Sequence, residues 1–430
     1  MSASPAALPI DPVLPRLSDA LAAGNAVLTA PTGSGKTTRV PLALLDAPWL
    51  GDGTILMLEP RRPAARMAAA HMASMLGESV GDTVGHQVRF ERRIGPRTRV
   101  QVLTEGILTR RIQADPELAG VGLLIFDEFH ERSLHADLGL ALALDAAALR
   151  EDLRILVMSA TLDSAAVATL LGDAGVPAPI IEGAGRMHPV AVRHLERTPT
   201  DTLAAVAPAV RAALAEHRGD VLVFLPGVGE INAVARALGE PPGVVVLPLH
   251  GSLSLAEQEQ ALHPGSSAAV RRVVLATDLA ETSLTIEGIG VVVDSGLTRK
   301  PRFEPGPGMT RLVTQPISRA SAAQRAGRAG RLGPGHCIRL WAEAEHQRRP
   351  AQRPAEIQES DLSPLVLEVA LWGVTDPADL RWLDPPPAPA WASALTLLQA
   401  LGALDARGGM TPLGRRMAAL PTHPRLAAML

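Results

Sequence analysis

Cysteine is almost missing from this chain of 430 residues, in which Cys337 is the only one. An intramolecular disulfide and a thiolate metal cluster are both excluded. Tyrosine is absent, and Phe and Trp contribute five residues each. Base recognition by rows of stacked aromatic rings is therefore not expected. Lysine occurs only at Lys36 and Lys300, and arginine carries the rest of the strong positive charge. No stretch approaches the roughly 20 uncharged apolar residues of a spanning helix, so a membrane span is not expected. With a net charge of -3, a nucleic-acid site has to be a local groove rather than a uniformly basic body. The 12 histidines show no tight ligand spacing, and His86, His188 and His250 read as loop or packing residues. Met1 to Ile10 lacks the charged start and apolar core of a signal peptide, so a cytoplasmic protein is expected.

What is present is a globular balance, 47% hydrophobic and 20% charged. Short apolar runs recur at Ala26 to Ala30, Thr54 to Leu58, Val100 to Leu103, Val121 to Phe126 and Arg154 to Met158. Helical stretches such as Pro63 to Leu76 and Leu134 to Leu149 separate them. That alternation predicts an α/β fold with a parallel sheet covered on both faces, and polar clusters follow the strand ends where such sheets bind ligands. The pattern restarts at Asp220 to Leu225 and continues through Val244 to Pro248, Arg272 to Ala276 and Gly290 to Val293. A composition shift near Arg197 to Asp201 marks the boundary, so 1–199 and 200–345 read as two α/β domains. Residues 346–388 and 389–430 read as two smaller helical domains, the second one truncated.

The segment Gly33-Ser34-Gly35-Lys36-Thr37 follows a strand and precedes a helix, the context of a phosphate-binding loop. Its glycines let backbone N–H groups converge on phosphate oxygens, and the helix start adds its dipole. Lys36 can reach the β- and γ-phosphates, and Thr37 can offer a hydroxyl to Mg2+. Ala30 stands where the general pattern has its first glycine. Asp127 and Glu128 end a strand about 90 residues on. The first is placed to hold magnesium and the second to activate a water. Adjacent strand residues face opposite ways, so this geometry requires the chain to leave the strand here. Gln324 to Arg331 carries three arginines and two glycines. It suits γ-phosphate recognition, and equally a solvated basic helix or contact with nucleic-acid phosphate.

The order of these motifs resembles the DEAH-box helicases of superfamily 2, and within them the bacterial HrpB type. The matching elements also include Pro60-Arg61-Arg62, Thr104-Glu105-Gly106, Ser159-Ala160-Thr161, Val221 to Leu225 and Ala276 to Ile286. The resemblance implies two tandem RecA-like domains, then a winged-helix domain at 346–388 and the start of a helical bundle at 389–430. It also implies ATP hydrolysis with Mg2+. Lys36 and Thr37 would bind phosphate and metal, Asp127 would hold Mg2+, and Glu128 would activate water. Gln324 would read the γ-phosphate and the attacking water, and Arg328 and Arg331 would be finger arginines. His130, Ser159 and Thr161 would couple nucleotide state to domain closure, and Ser283 would line the nucleotide cleft.

A single-stranded or structured RNA partner is implied, gripped at Arg62, Thr104 and Thr277, with movement 3′ to 5′. DNA remains an alternative partner, and a nucleotide-switch scaffold with little turnover an alternative function. No activator, substrate RNA or oligomeric state is read from the sequence. The segment Arg299 to Val313 could form a strand-separating hairpin or a plain loop. Family members often carry an aromatic after the glycine matching Gly296, whereas this chain has Leu297. Weak discrimination among ATP, GTP, CTP and UTP is expected on that account.

Overall fold

The computed structural model describes residues 8–160, 164–185, 188–263, 270–281, 286–304 and 308–430. Thr161 and Ser283 lie outside the described residues. The chain divides into two compact units, one of 1–184, 303–310 and 354–430, the other of 185–302 and 311–353.

The first unit is built on eight strands: β1 (Ala26–Thr29), β2 (Thr54–Glu59), β3 (Val84–Val88), β4 (Glu91–Arg93), β5 (Val100–Thr104), β6 (Val121–Phe126), β7 (Arg154–Ser159) and β8 (Ile180–Glu182). Their order is β4-β3-β5-β2-β6-β7-β1-β8. Only the β3–β4 pair is antiparallel. The central strands are buried along most of their length, which explains their unbroken apolar runs. Register sets Glu59 of β2 beside Thr104 of β5, and Leu58 beside Phe126 of β6. The ends of β2, β5 and β6 thus meet at one edge of the sheet.

The helix Leu134–Ala147 is buried nearly all round, at ten of its 14 positions. The sheet accounts for one face. The helix Glu105–Ala114 packs against Leu134–Ala147, and helices from the C-terminal segment, Ser363–Trp372 and Ala388–Ala400, join the same core cluster. Trp372 donates from its indole N–H to Asp145 at 2.7 Å, and Gln113 donates to Glu368 at 2.6 Å. The segments expected as a winged helix and a bundle pack together here: Ser363–Trp372 lies against both Ala388–Ala400 and Pro412–Ala419. A β-bridge between Leu404 and Met410 closes the connection between Ala388–Ala400 and Pro412–Ala419.

The second unit carries β9 (Val190–Leu195), β10 (Asp220–Phe224), β11 (Val244–Leu249), β12 (Arg271–Ala276) and β13 (Ile289–Asp294). A two-stranded sheet of β14 (Leu297–Glu304) and β15 (Met309–Pro316) follows, realising the hairpin rather than the plain loop. The last strand, β16 (Gly335–Ala342), completes a six-stranded parallel sheet ordered β11-β12-β10-β13-β16-β9. β9 precedes residue 200, where composition shifts, yet it pairs with β16. The unit accordingly begins at Gly185 and runs to Arg353. Cys337 is packed inside β16, where burial pushes its thiol up to about 12. It is a core residue rather than a redox group. No helix among the described residues is long and apolar enough to cross a membrane.

Candidate active site

The loop between β1 and the helix Lys36–Leu44 turns on two glycines. Gly33 has φ 84° and Gly35 φ 95°, conformations that side chains disfavour. Gly35 caps the helix, so the free N–H groups of its first turn and its dipole face the loop. Ser34 is buried and its Oγ has no hydrogen-bond partner. A buried hydroxyl left unpaired beside a helix start suits a phosphate oxygen as its missing partner.

Asp127 and Glu128 meet this loop from the end of β6. The backbone breaks out of the strand at Glu128, which has φ 49°. This left-handed residue lets both carboxylates serve one place. Thr37 donates from Oγ1 to Asp127 Oδ2 at 2.5 Å, and Lys36 Nζ lies 3.1 Å from Glu128 Oε1. Asp127 Oδ1 accepts from the Glu128 N–H at 2.8 Å. His130 Nδ1 stands 3.4 Å from Glu128 Oε2. Ser159, at the end of β7, is buried, and its carbonyl accepts from the Ala30 N–H at 3.0 Å.

Lys36, Asp127 and Glu128 are almost wholly withdrawn from water. Burial by itself lowers the Lys36 pKa, but the charges of Glu128 and Asp127 outweigh it and hold the ammonium above its ordinary range. Burial also raises the Asp127 carboxyl, with Lys36 pulling against it. Thr37 hydroxyl and Asp127 carboxylate are hard oxygen donors side by side, a fit for Mg2+ supported by phosphate oxygens and water.

Sequence reasoning passed over Glu59, the last residue of β2. It is buried beside Asp127, and burial first, then the Asp127 and Glu128 charges, push its carboxyl well above the ordinary range. The signal available was a strand-end acid directly before Pro60-Arg61-Arg62. Of the residues assigned to nucleic acid, Arg62 is exposed at the start of the helix Arg62–Leu76, and Thr104 stands just before the helix Glu105–Ala114. Arg62 follows β2 and Thr104 ends the neighbouring β5, so the fold brings them to one sheet edge. Arg61 is tied to Glu131 at 3.1 Å.

Glu105 accepts from Ser133 Oγ at 2.7 Å. Withdrawal from water, and then the charges of Glu131, Glu356 and Asp137, push its carboxyl from an ordinary 4.5 up to about 8, although Ser133 acts the other way. An acid raised in the folded state stabilises the fold fully below its unfolded pKa and progressively less as pH rises through the folded value. Glu105→Gln is therefore expected to leave the melting temperature unchanged near pH 4. Between about pH 4.5 and about 8 it should raise the melting temperature by a growing margin. Thermal melts across that range test this, and a constant margin would contradict it.

In the second unit, Gln324 lies on the helix Arg319–Gly327, and Arg328 begins the single turn that follows. Arg328 is buried and donates from Nε to the Glu281 carbonyl at 3.0 Å, while Arg331 is half-buried. Sequence reasoning did not separate Arg325 from these. It is fully buried, with Nε 2.9 Å from Glu281 Oε2 and Nη1 2.9 Å from Asp294 Oδ1. Its guanidinium stacks over Phe224 at 4.8 Å. Arg325 anchors the helix that carries Gln324. Thr277, after β12, accepts from the Leu279 N–H at 3.4 Å and caps a short turn. The ring nearest Gly296 is Trp341, buried under Arg349, so it offers no face to a nucleobase.

Known proteins match this arrangement. The DEAD/DEAH box helicase family matches residues 15–170, and the helicase conserved C-terminal domain matches 204–333. The chain belongs to the DEAD/DEAH-box helicases. Its two larger sheets belong to the tandem RecA-like domains of that family. The helicase-associated HA2 winged-helix domain matches 394–422 of this helicase chain, within the stretch read from sequence as a bundle. Among curated relatives, the ATP-dependent RNA helicase HrpB of Escherichia coli (strain K12) is 50% identical over 98% of the chain and 52% of that protein. The pre-mRNA-splicing factor ATP-dependent RNA helicase prp22 of Schizosaccharomyces pombe is 38% identical over 94% of the chain and 35% of that protein. A crystal structure of the Escherichia coli DEAH/RHA helicase HrpB superposes with a TM-score of 0.92 at 49% identity, over 98% of the chain and 54% of its own. The helicase chain thus spans about half the length of the HrpB proteins it matches.

Proposed function

We propose that this chain is a nucleic-acid-stimulated nucleoside triphosphatase that drives movement along RNA, unwinding of it, or remodelling of RNA–protein complexes. The observation that carries the reading is the pairing of Lys36 with Glu128 and of Thr37 with Asp127 across the strand ends. Lys36 and the loop N–H groups hold the β- and γ-phosphates. Thr37 and Asp127 hold Mg2+, which neutralises developing phosphate charge when bound. An incoming γ-phosphate competes with Glu128 for the Lys36 ammonium, which leaves Glu128 to accept the proton of the attacking water. That water adds to the γ-phosphorus as the bond to the β-phosphate oxygen breaks, giving ADP and phosphate. Gln324 orients the water, and Arg328 and Arg331 balance charge on the transferring group.

His130, Ser159 and Thr161 relay nucleotide state to the grip on the strand. Arg62, Thr104 and Thr277 contact the backbone of single-stranded RNA, and net movement runs 3′ to 5′. The names of the HrpB and prp22 relatives favour RNA over DNA.

The test is phosphate release by the chain alone, with single-stranded RNA, and with DNA of the same sequence. Stimulation by RNA and not DNA is the expected result. Stimulation by DNA alone would replace RNA with DNA in this reading, and turnover indifferent to both would end it. With Leu297 after Gly296 and Trp341 buried, ATP, GTP, CTP and UTP should be turned over at similar rates. Strict use of ATP would contradict that expectation.

A further inference from the structure

Glu59 has no part in the chemistry described so far. It closes β2, is 1% exposed, and its Oε2 has no hydrogen-bond partner. Its side chain lies within hydrogen-bonding reach of Asp127, with Glu128 and Lys36 close by. Two carboxyl groups side by side in a dry pocket repel unless positive charge or a donated hydrogen stands between them. A residue that served only to brace the fold would have both oxygens satisfied by protein, as most buried polar atoms are.

Among the described residues, no three His, Cys, Asp or Glu side chains converge to hold an ion by themselves. Mg2+ keeps several of its waters and takes one or two carboxylates plus phosphate oxygens. An acceptor behind the ligand then finds its partner in a water of the ion's shell.

We propose that Glu59 is a positioning residue for a divalent cation at Thr37 and Asp127. It accepts a hydrogen bond from a water in the ion's shell and fixes the direction of the Asp127 carboxylate. This rests on the reading of Thr37 and Asp127 as the metal-holding pair. Sequence position could not reveal it, because it depends on β2 and β6 ending side by side.

The experiment measures Mn2+ binding by electron paramagnetic resonance, with the full chain and a non-hydrolysable ATP analogue. Glu59→Gln keeps the shape but replaces one carboxyl oxygen with an amide N–H that cannot accept from that water, and should weaken Mn2+ binding by about 10- to 100-fold, the usual cost of losing such a partner. Binding of the analogue in EDTA should not change, which a merely structural defect would not spare. Asp127→Asn is the reference arm. Weakening in both variants supports the proposal. Weakening in Asp127→Asn alone overturns the role of Glu59 and leaves the nucleotide site standing. Mn2+ affinity untouched in both overturns the metal assignment as well. Should Glu59→Gln not fold, Glu59→Asp keeps the carboxyl and withdraws its oxygens by one carbon. It is expected to weaken Mn2+ binding in the same direction, and unaltered binding would overturn the proposal.

Discussion

Glu128→Gln should lower phosphate release by about 100- to 10,000-fold, the contribution of a positioned general base, while nucleotide binding persists. Glutamine has the same shape and can occupy the same left-handed backbone position, φ 49°, so the loop should be retained. What is lost is the basicity needed to take a proton from water. Lys36 also loses its 3.1 Å ion-pair partner, but the phosphates of a bound nucleotide replace it. Affinity should therefore hold or rise as turnover falls. Single-turnover phosphate release and titration with a fluorescent nucleotide separate the two effects. Turnover equal to that of the unaltered chain would remove Glu128 from the chemistry and favour the nucleotide-switch scaffold.

The second large effect concerns stability. Arg325→Met should destabilise the second unit by about 3–5 kcal/mol, the cost of removing one partner of a buried ion pair. Asp294 is fully buried and would lose the guanidinium that faces it at 2.9 Å. Glu281, held on its other oxygen by Ser321 Oγ at 2.5 Å, would lose its second partner. Denaturant midpoints measure the loss. Adding Asp294→Leu should recover part of it, because the stranded carboxyl is then gone, although the Gly296 N–H loses its acceptor. A single variant as stable as the unaltered chain would mean that the triad contributes little. Arg325 thus supports the helix that carries Gln324 and stands apart in role from Arg328 and Arg331.

Much of this architecture was legible because it is written in local pattern. Apolar runs bounded by Gly, Pro or acids marked the central strands, and the observed strands agree to within a residue or two. The phosphate loop was legible for the same reason: Gly33 and Gly35 adopt positive φ, which glycine alone adopts without strain. The demand that the chain leave β6 at Asp127 and Glu128 followed from strand alternation, and the left-handed Glu128 meets it. β9 was not legible. It is half exposed, lacks a dense apolar run, and belongs to the second sheet only through pairing with β16, about 145 residues later. That the helix Leu134–Ala147 shares its core with the C-terminal helices was not legible either, because those segments lie far along the chain and only the folded structure brings them into one cluster.

By itself the sequence determined the two α/β repeats, the phosphate loop, the paired acids and the order of motifs, since each is a short-range consequence of spacing and residue type. Tertiary structure alone decided that Glu59 stands beside Asp127, that Arg325 is a buried anchor, and that β9 belongs to the second sheet. Those outcomes depend on which distant strands hydrogen-bond side by side, and on which charges are left to balance one another once water has been excluded.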